Sequence, residues 1–334
     1  RIINGAMVID QRNAGASVTI TAASAAQYVL DRFYLRAESA AGSKVSVQRS
    51  TVAPPGFTNS QLITSLSAYT IGASEHFSTV QAVEGFNTAD LAWGTASAQA
   101  ITVSFWVRSS LTGLFGAFVL NNAANRCFVF SYTINAANTW EQKTVTIPGD
   151  TSGTWLTNNG IGLYLNFSVA AGSSVTGAAG SWSSTFNRSV TGQTSLVGTN
   201  GATFYITGVQ LEKGSTATDF DYRQYGTELG LCQRYYEIPS TGSDGDGCRY
   251  LTAAWTPSDS NCTMSFRVTK RTAPTITVSN DGQVYTGTWD SITTVSVIGS
   301  TQWGLTLDLI LTGGYTAKYV YFARNQAVGA SAEL

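Results

Sequence analysis

Period-two alternation of apolar and polar residues is the feature that most restricts what this chain can fold into. Ile101, Val103, Phe105 and Val107 share one side of a run whose other side carries Thr102, Ser104, Trp106 and Arg108. Leu163, Leu165 and Phe167 repeat the pattern, with Tyr164 and Asn166 opposite. Cys262, Met264, Phe266 and Val268 alternate in the same way, as do Trp303, Leu305, Leu307, Leu309 and Leu311. Successive side chains of a strand point to opposite faces, so such runs are antiparallel strands with one face in a core. Turn clusters at Asn121-Asn122, Pro148-Gly149-Asp150, Asn158-Asn159-Gly160 and Ala171-Gly172-Ser173 separate them. The pattern predicts an all-β chain: a jelly-roll β-sandwich over residues 1–218 and a smaller C-terminal β-sandwich head over 240–334. Trp303, at the head of its run, is expected to be buried.

Composition fits that reading. Charged residues are 12% of the 334, against about 25% in an average globular chain, and a helical bundle would need more of them. The formal net charge of −1 supplies no field for nucleic acid or an anionic membrane. No apolar run approaches the roughly 18 residues of a membrane span, and nothing resembles a signal peptide. The chain starts with Arg rather than Met, which leaves upstream residues open. Cys127, Cys232, Cys248 and Cys262 form no CxxC pair and no zinc set. A Cys248–Cys262 disulfide is conceivable, but buried free thiols are the expectation.

Between the two β regions a helical pattern intervenes, placed at 219–239. Thr218 and Asp221 have capping-box spacing. Tyr222, Tyr225, Leu229, Cys232 and Tyr236 follow at three-and-four spacing. Gly226 and Gly230 inside the stripe each cost about 1 kcal/mol relative to Ala, so this helix needs packing partners. It either lies near a symmetry axis or docks on its own sandwich.

The wording of this joint, TGVQLEKGSTATDFDYRQYGTELGLCQRYYE, resembles the junction in tailed-phage fibre and receptor-binding proteins between a carbohydrate-module-like sandwich and a C-terminal head. RIINGAMVIDQRNAGA, YVLDRFYLRAE and VEGFNTADLAWGTASAQAITVSFWVRSSLTG are similar to a sandwich module recurrent in such fibres. SFWVRSS and WEQKTVTIPGD resemble strands of jelly-roll carbohydrate-binding modules, and MSFRVTKRTAPTITV with the terminal ASAEL resembles fibre heads. The resemblance implies a virion protein of the phage surface, a tail or head fibre. It also implies a homotrimer, other virion proteins as neighbours, and host surface polysaccharide as the ligand.

Chemistry-bearing constellations are sparse. His76, in GASEHFST, is the only histidine; no GxSxG elbow accompanies it, and a satisfied surface or turn histidine is expected. The neighbouring carboxylates Asp219 with Asp221, and Asp244 with Asp246, do not amount to a facing glycosidase pair. No solenoid repeat of a depolymerase is present, so no catalytic residues are assigned and a non-enzymatic protein is expected. No cofactor is required. Ser243-Asp244-Gly245-Asp246-Gly247 offers oxygen ligands that leave a structural calcium open, though a solvated turn is the simpler reading. Exposed aromatics are the remaining candidates, because sugars present apolar CH faces to rings. Trp106, Arg108, Tyr164 and Asn166 fall opposite the most apolar strand faces. Tyr285 and Trp289 fall in turn-rich segments and are expected on loops. Trp255 lies in a similar setting. A structural decoration protein that recognises no receptor is the alternative.

Overall fold

The computed structural model describes residues 1–240, 250–254, 256, 259–278, 283–285, 289–311, 320–324 and 328–334. The chain divides into two compact units, Arg1–Gln224 with Leu334, and Tyr225–Glu333. The first contains β1 (Val18–Thr19), β2 (Ser24–Leu30), β3 (Phe33–Glu38), β4 (Val45–Ser50), β5 (Ser60–Ser65), β6 (His76–Glu84), β7 (Ile101–Ser109) and β8 (Gly113–Leu120). It continues with β9 (Cys127–Ile134), β10 (Glu141–Ile147), β11 (Ile161–Ala171), β12 (Thr176–Gly177), β13 (Trp182–Ser183), β14 (Ser189–Val190) and β15 (Thr203–Lys213).

These strands form a jelly-roll sandwich of two antiparallel sheets. Sheet A has the order β1-β4-β5-β15-β7-β10, and sheet B the order β13-β9-β8-β11-β6-β3-β2. The alternating residues Ile101, Val103, Phe105 and Val107 from sheet A meet Leu163, Leu165 and Phe167 from sheet B in one core. Phe105 packs edge-on against Phe167 at 4.8 Å and against Tyr132 at 5.0 Å between ring centroids. One polar pair spans the core: Thr79 Oγ1 donates to Gln61 Oε1 at 2.6 Å. Burying apolar area of this extent, at about 25 cal/mol per Å², is what holds the two sheets face to face.

The second unit starts with the helix α1 (Tyr225–Gln233), shorter than the 219–239 expected. Asp219–Asp221 lie outside the helix, where the Gln210 side chain takes both the Asp219 carbonyl and the Asp221 amide. Thr218 is bonded to Glu212 and caps no helix. Tyr222 and Tyr225 are 57% and 63% exposed, and the buried side of the helix carries Glu228 and Cys232 instead. Tyr236 belongs to a strand.

The remaining strands are β16 (Tyr236–Ser240), β17 (Tyr250–Ala254), β18 (Asp259–Ser265), β19 (Thr275–Val278), β20 (Gln283–Tyr285), β21 (Trp289–Ser300), β22 (Gly304–Leu311), β23 (Val320–Arg324) and β24 (Val328–Ser331). This unit is all-β apart from the helix. Where two facing sheets were expected, six strands close into a barrel, β17-β18-β22-β21-β20-β23, beside the three-stranded sheet β16-β24-β19. Cys262, Met264, Leu305, Leu307, Leu309 and Leu311 fill the barrel. Beside the smaller sheet, the ammonium of Lys270 lies 2.6 Å from the Glu237 carboxylate, both fully buried. Trp303 contradicts its expected burial: it is 66% exposed. The strand starts only at Gly304, so Trp303 sits in the turn of the β21–β22 hairpin, where the alternation does not bind it. Cys127, Cys232 and Cys262 are buried free thiols. Cys248, Trp255 and the Ser243–Gly247 segment lie outside the described residues.

Candidate functional site

The four sandwich candidates do not form one site. Trp106 and Arg108 project from the outer face of sheet A, whereas Tyr164 and Asn166 project from the outer face of sheet B, on the far side of the core.

Sheet A is partly crossed by the chain that follows β15. Thr102 Oγ1 donates to Gly214 O at 2.8 Å and Thr146 Oγ1 to Ser215 O at 3.2 Å. Gln210 holds residues 219 and 221, with Nε2 3.2 Å from Asp219 O and Oε1 accepting from the Asp221 amide at 2.8 Å. The strap ends in an aromatic trio, Phe57, Phe220 and Tyr222, with ring centroids 4.8–5.4 Å apart. The Tyr222 hydroxyl donates to Gly56 O at 2.6 Å. Its close approach depends on a bulge in β15 at Gly208. There φ is +60°, and a Cβ would lie 2.7 Å from Phe57 Cζ and 3.0 Å from Trp106 Cδ1.

Beyond the strap the sheet is open. Cross-strand register sets Gln48, Leu62, Tyr205 and Arg108 in one row across β4, β5, β15 and β7. Gln142 stands opposite Trp106 in β10. The Arg108 guanidinium lies 5.0 Å from the Tyr205 ring centroid, and its Nε donates to Asn138 O at 2.8 Å. Trp140 meets Tyr205 at 6.0 Å and 66°. Trp106, Arg108 and Trp140 are each half-buried, while Tyr205 is nearly buried between its neighbours. The result is a firm apolar platform with one guanidinium and two amide side chains, Gln48 and Gln142, along it. Tyr205 and Trp140 were not singled out from sequence. Tyr205 is opposite Arg108 only because β15 pairs with β7 across about a hundred residues of chain, which no local pattern reveals.

Sheet B is covered. The connection from β11 to β15 adds β13 to the sheet's edge and lays the β12–β14 pair over its outer face, and Gly116 lets it down: a Cβ there would lie 2.8 Å from Val190 N. Phe118, Leu120, Cys127 and Val129 are buried with Val190 beneath it, and Tyr164 is half-buried at its margin. Asn166 is 3% exposed. His76, expected at a surface or turn, is fully buried in β6. Desolvation, then Arg188, push its imidazole down to about 3, against an opposing pull from Glu38.

In the C-terminal unit Tyr285 and Trp289 are not on loops; their backbones pair directly across β20 and β21. Among the described residues no group of three His, Cys, Asp or Glu side chains could hold a metal, and no helix is long and apolar enough to cross a membrane.

No protein-family model and no curated protein matches this sequence. Solved structures resemble it at low identity. A family 4 carbohydrate-binding module shares 16% identity over 64% of this chain and 99% of its own, with a TM-score of 0.32. The family 11 carbohydrate-binding module of a Clostridium thermocellum cellulosomal cellulase shares 12% over 62% and 99%, with a TM-score of 0.30. The enzymatically active domain of bacteriophage CBA120 tailspike protein 4 shares 14% over 55% of this chain, with a TM-score of 0.31, and the match spans 19% of the tailspike's length.

Proposed function

We propose that the chain is a non-enzymatic adhesin of a phage fibre that binds cell-surface glycan through the open half of sheet A. The observation that carries this reading is the half-buried set Trp106, Arg108 and Trp140, with Arg108 and Trp140 set against the buried Tyr205 ring, on the outer face of sheet A. A sugar ring lays its CH face on such rings, while guanidinium and amide groups bond its hydroxyls. Rigidity matters here, because a platform fixed before binding spends little entropy on ordering itself. Single sugar contacts are weak, and a homotrimeric fibre among other virion proteins would raise them by avidity.

The test is binding of the purified chain to isolated envelope polysaccharide of a susceptible host, read by calorimetry. Trp106→Ala and Arg108→Ala are each expected to weaken binding about tenfold, equivalent to about 1.4 kcal/mol. Tyr285 and Trp289 are the candidates in the C-terminal unit, so loss of binding in Trp289→Ala with sheet A variants unaffected would move the site there. Absence of binding to any envelope glycan would leave the decoration-protein alternative, which immuno-electron microscopy of whole particles tests directly by placing the chain at a tail tip or on the capsid.

A further inference from the structure

Three tryptophans gather at the end of the N-terminal sandwich where β7 begins. Trp93, Trp155 and Trp182 meet edge to face, with ring centroids 4.6, 5.3 and 5.5 Å apart. Each indole N–H donates to a backbone carbonyl: Trp93 to Gln99 O at 2.7 Å, Trp155 to Ser152 O at 3.1 Å and Trp182 to Pro148 O at 2.8 Å. What the trio presents to its surroundings is therefore carbon. Its frame is firm. Arg126 holds Asp150 through two bonds of 2.7 and 2.6 Å, and the Asp150 carbonyl accepts from the Gly94 amide at 2.7 Å. At Gly94 φ is +83°, and a Cβ would lie 2.6 Å from Gly153 O, so only glycine permits this approach.

Beside the trio lies a hollow between two short turns of 3-10 helix, Gly85–Asn87 and Ala89–Leu91, and the stretch 155–157. Leu91 and Trp93 are its buried floor, Trp155 and Leu156 its half-buried walls, and Ala89 and Thr157 stand exposed at the mouth. The Gly85 amide donates to Gly160 O at 2.8 Å and the Phe86 amide to Asn158 O at 2.9 Å, which ties the two sides together. The hollow is thus formed before anything binds. It has room for about one water molecule or one methyl group. A sugar ring is too large to enter; a substituent on it is not. Water would find few partners, since the Trp93 and Trp155 N–H groups are taken and the Thr88 hydroxyl already donates to Gly85 O at 3.2 Å. A methyl group needs none.

We propose that this hollow is a subsite for the methyl group of a methyl-bearing sugar, either an acetamido sugar or a deoxysugar. The methyl enters against Leu91 and Trp93, the ring lays its CH face on Trp155, and the Thr157 hydroxyl at the mouth bonds a ring hydroxyl. The choice of a sugar rests on the reading of the chain as a glycan binder. The subsite itself shares no residue with the sheet A platform, whose Arg108 lies toward the opposite end of β7.

Saturation-transfer NMR on the full chain tests it with two matched pairs, each differing in one methyl: N-acetylglucosamine against N-formylglucosamine, and L-rhamnose against L-mannose. The methyl-bearing member of at least one pair is expected to bind about fourfold more tightly, the gain from burying a single methyl. Its methyl protons should receive the strongest saturation. Preference within the first pair alone identifies an acetamido sugar, and within the second alone a deoxysugar. Ala89→Leu fills the mouth from an exposed position and should abolish the preference with an unchanged melting midpoint. Trp106→Ala should leave the preference intact, so failure of the sheet A reading is told apart from failure of this one. Equal binding within both pairs overturns the proposal, as does saturation spread evenly over the ring; both are read on the unaltered chain and need no variant to fold. A preference that survives Ala89→Leu, or that Trp106→Ala removes, overturns it as well.

Discussion

The two outer faces of the N-terminal sandwich are each crossed by a later stretch of chain, and the two crossings differ in how they treat polar groups. On sheet A the strap of residues 214–222 gives partners to Thr102 and Gln210, which lose solvent beneath it, and of that outer face only Thr207 Oγ1 is left buried without a partner among the described residues. On sheet B the cover buries Ser78, His76 and Asn166 without answering them. An unpaired buried polar group costs about 1–3 kcal/mol. A crossing that satisfies its floor serves the fold, whereas one that leaves its floor unpaired retains hydrogen-bonding capacity at a cost in stability.

The largest effect is expected from attacking the strap at its root. Gly208→Val demands a positive φ of a β-branched residue and drives a side chain into Phe57 and Trp106. It should cost about 3 kcal/mol in chemical denaturation; a loss under about 1 kcal/mol would show that the bulge is not held by its neighbours.

Acidification separates the faces next. The folded-state imidazole of His76 is pushed down to about 3, while an unfolded one titrates near about 6.5. Below pH 6.5 the unfolded chain therefore takes up a proton that the folded chain refuses, and stability falls as pH drops toward 3. Burial pushes Glu38 up, but Arg36, His76 and Arg188 outweigh it and hold its carboxyl below the ordinary range. Its contribution is present above about pH 4.5 and is lost as pH falls, so the two effects run in the same direction. Between pH 6.5 and 4.5 the expected loss is about 2 kcal/mol, and His76→Leu should flatten the profile. An unchanged slope in that variant would assign the acid sensitivity elsewhere.

Gln210→Ala removes two of the bonds that hold the strap, those to Asp219 and Asp221, and should cost about 1.5 kcal/mol, with faster proteolysis confined to residues 214–222. Finally, two buried hydroxyls give opposite signs. Thr102→Val strips the Gly214 carbonyl of its partner and should destabilise by about 1 kcal/mol, whereas Ser78→Ala should be neutral or stabilising by up to about 1 kcal/mol. Equal losses at both positions would erase the distinction between the faces.

The sandwich was legible because its strands are long and one-sided: β7 and β11 read correctly from period two alone. The alternation also placed Trp106 and Arg108 on an outward face. What it could not convey was which outward face stays open. The strap and the cover are short, irregular and rich in Ser, Thr, Gly and Asn, so they carry no period, and their positions are fixed by bonds to residues far away in sequence. For the same reason His76 read as a surface residue; nothing in GASEHFST announces that residues near 188 lie over it. Trp303 misled in the opposite sense, since it continued an alternating run one step past the strand. The helix was overestimated at both ends because its stripe included Tyr222, which belongs to the strap, and Tyr236, which pairs with Ser331. The barrel closure is likewise a matter of which strands meet, a non-local property.

That closure has a consequence for how copies of this protein could stick to one another. A sheet with free margins offers unpaired amides and carbonyls to any passing strand, and sheet A ends in β1 and β10, sheet B in β13 and β2. The six barrel strands of the C-terminal unit have each neighbour already supplied by the chain itself. Strand addition there is blocked, and any self-association through the barrel must be written in side chains, which makes it tunable by single substitutions and separable from amyloid-type growth.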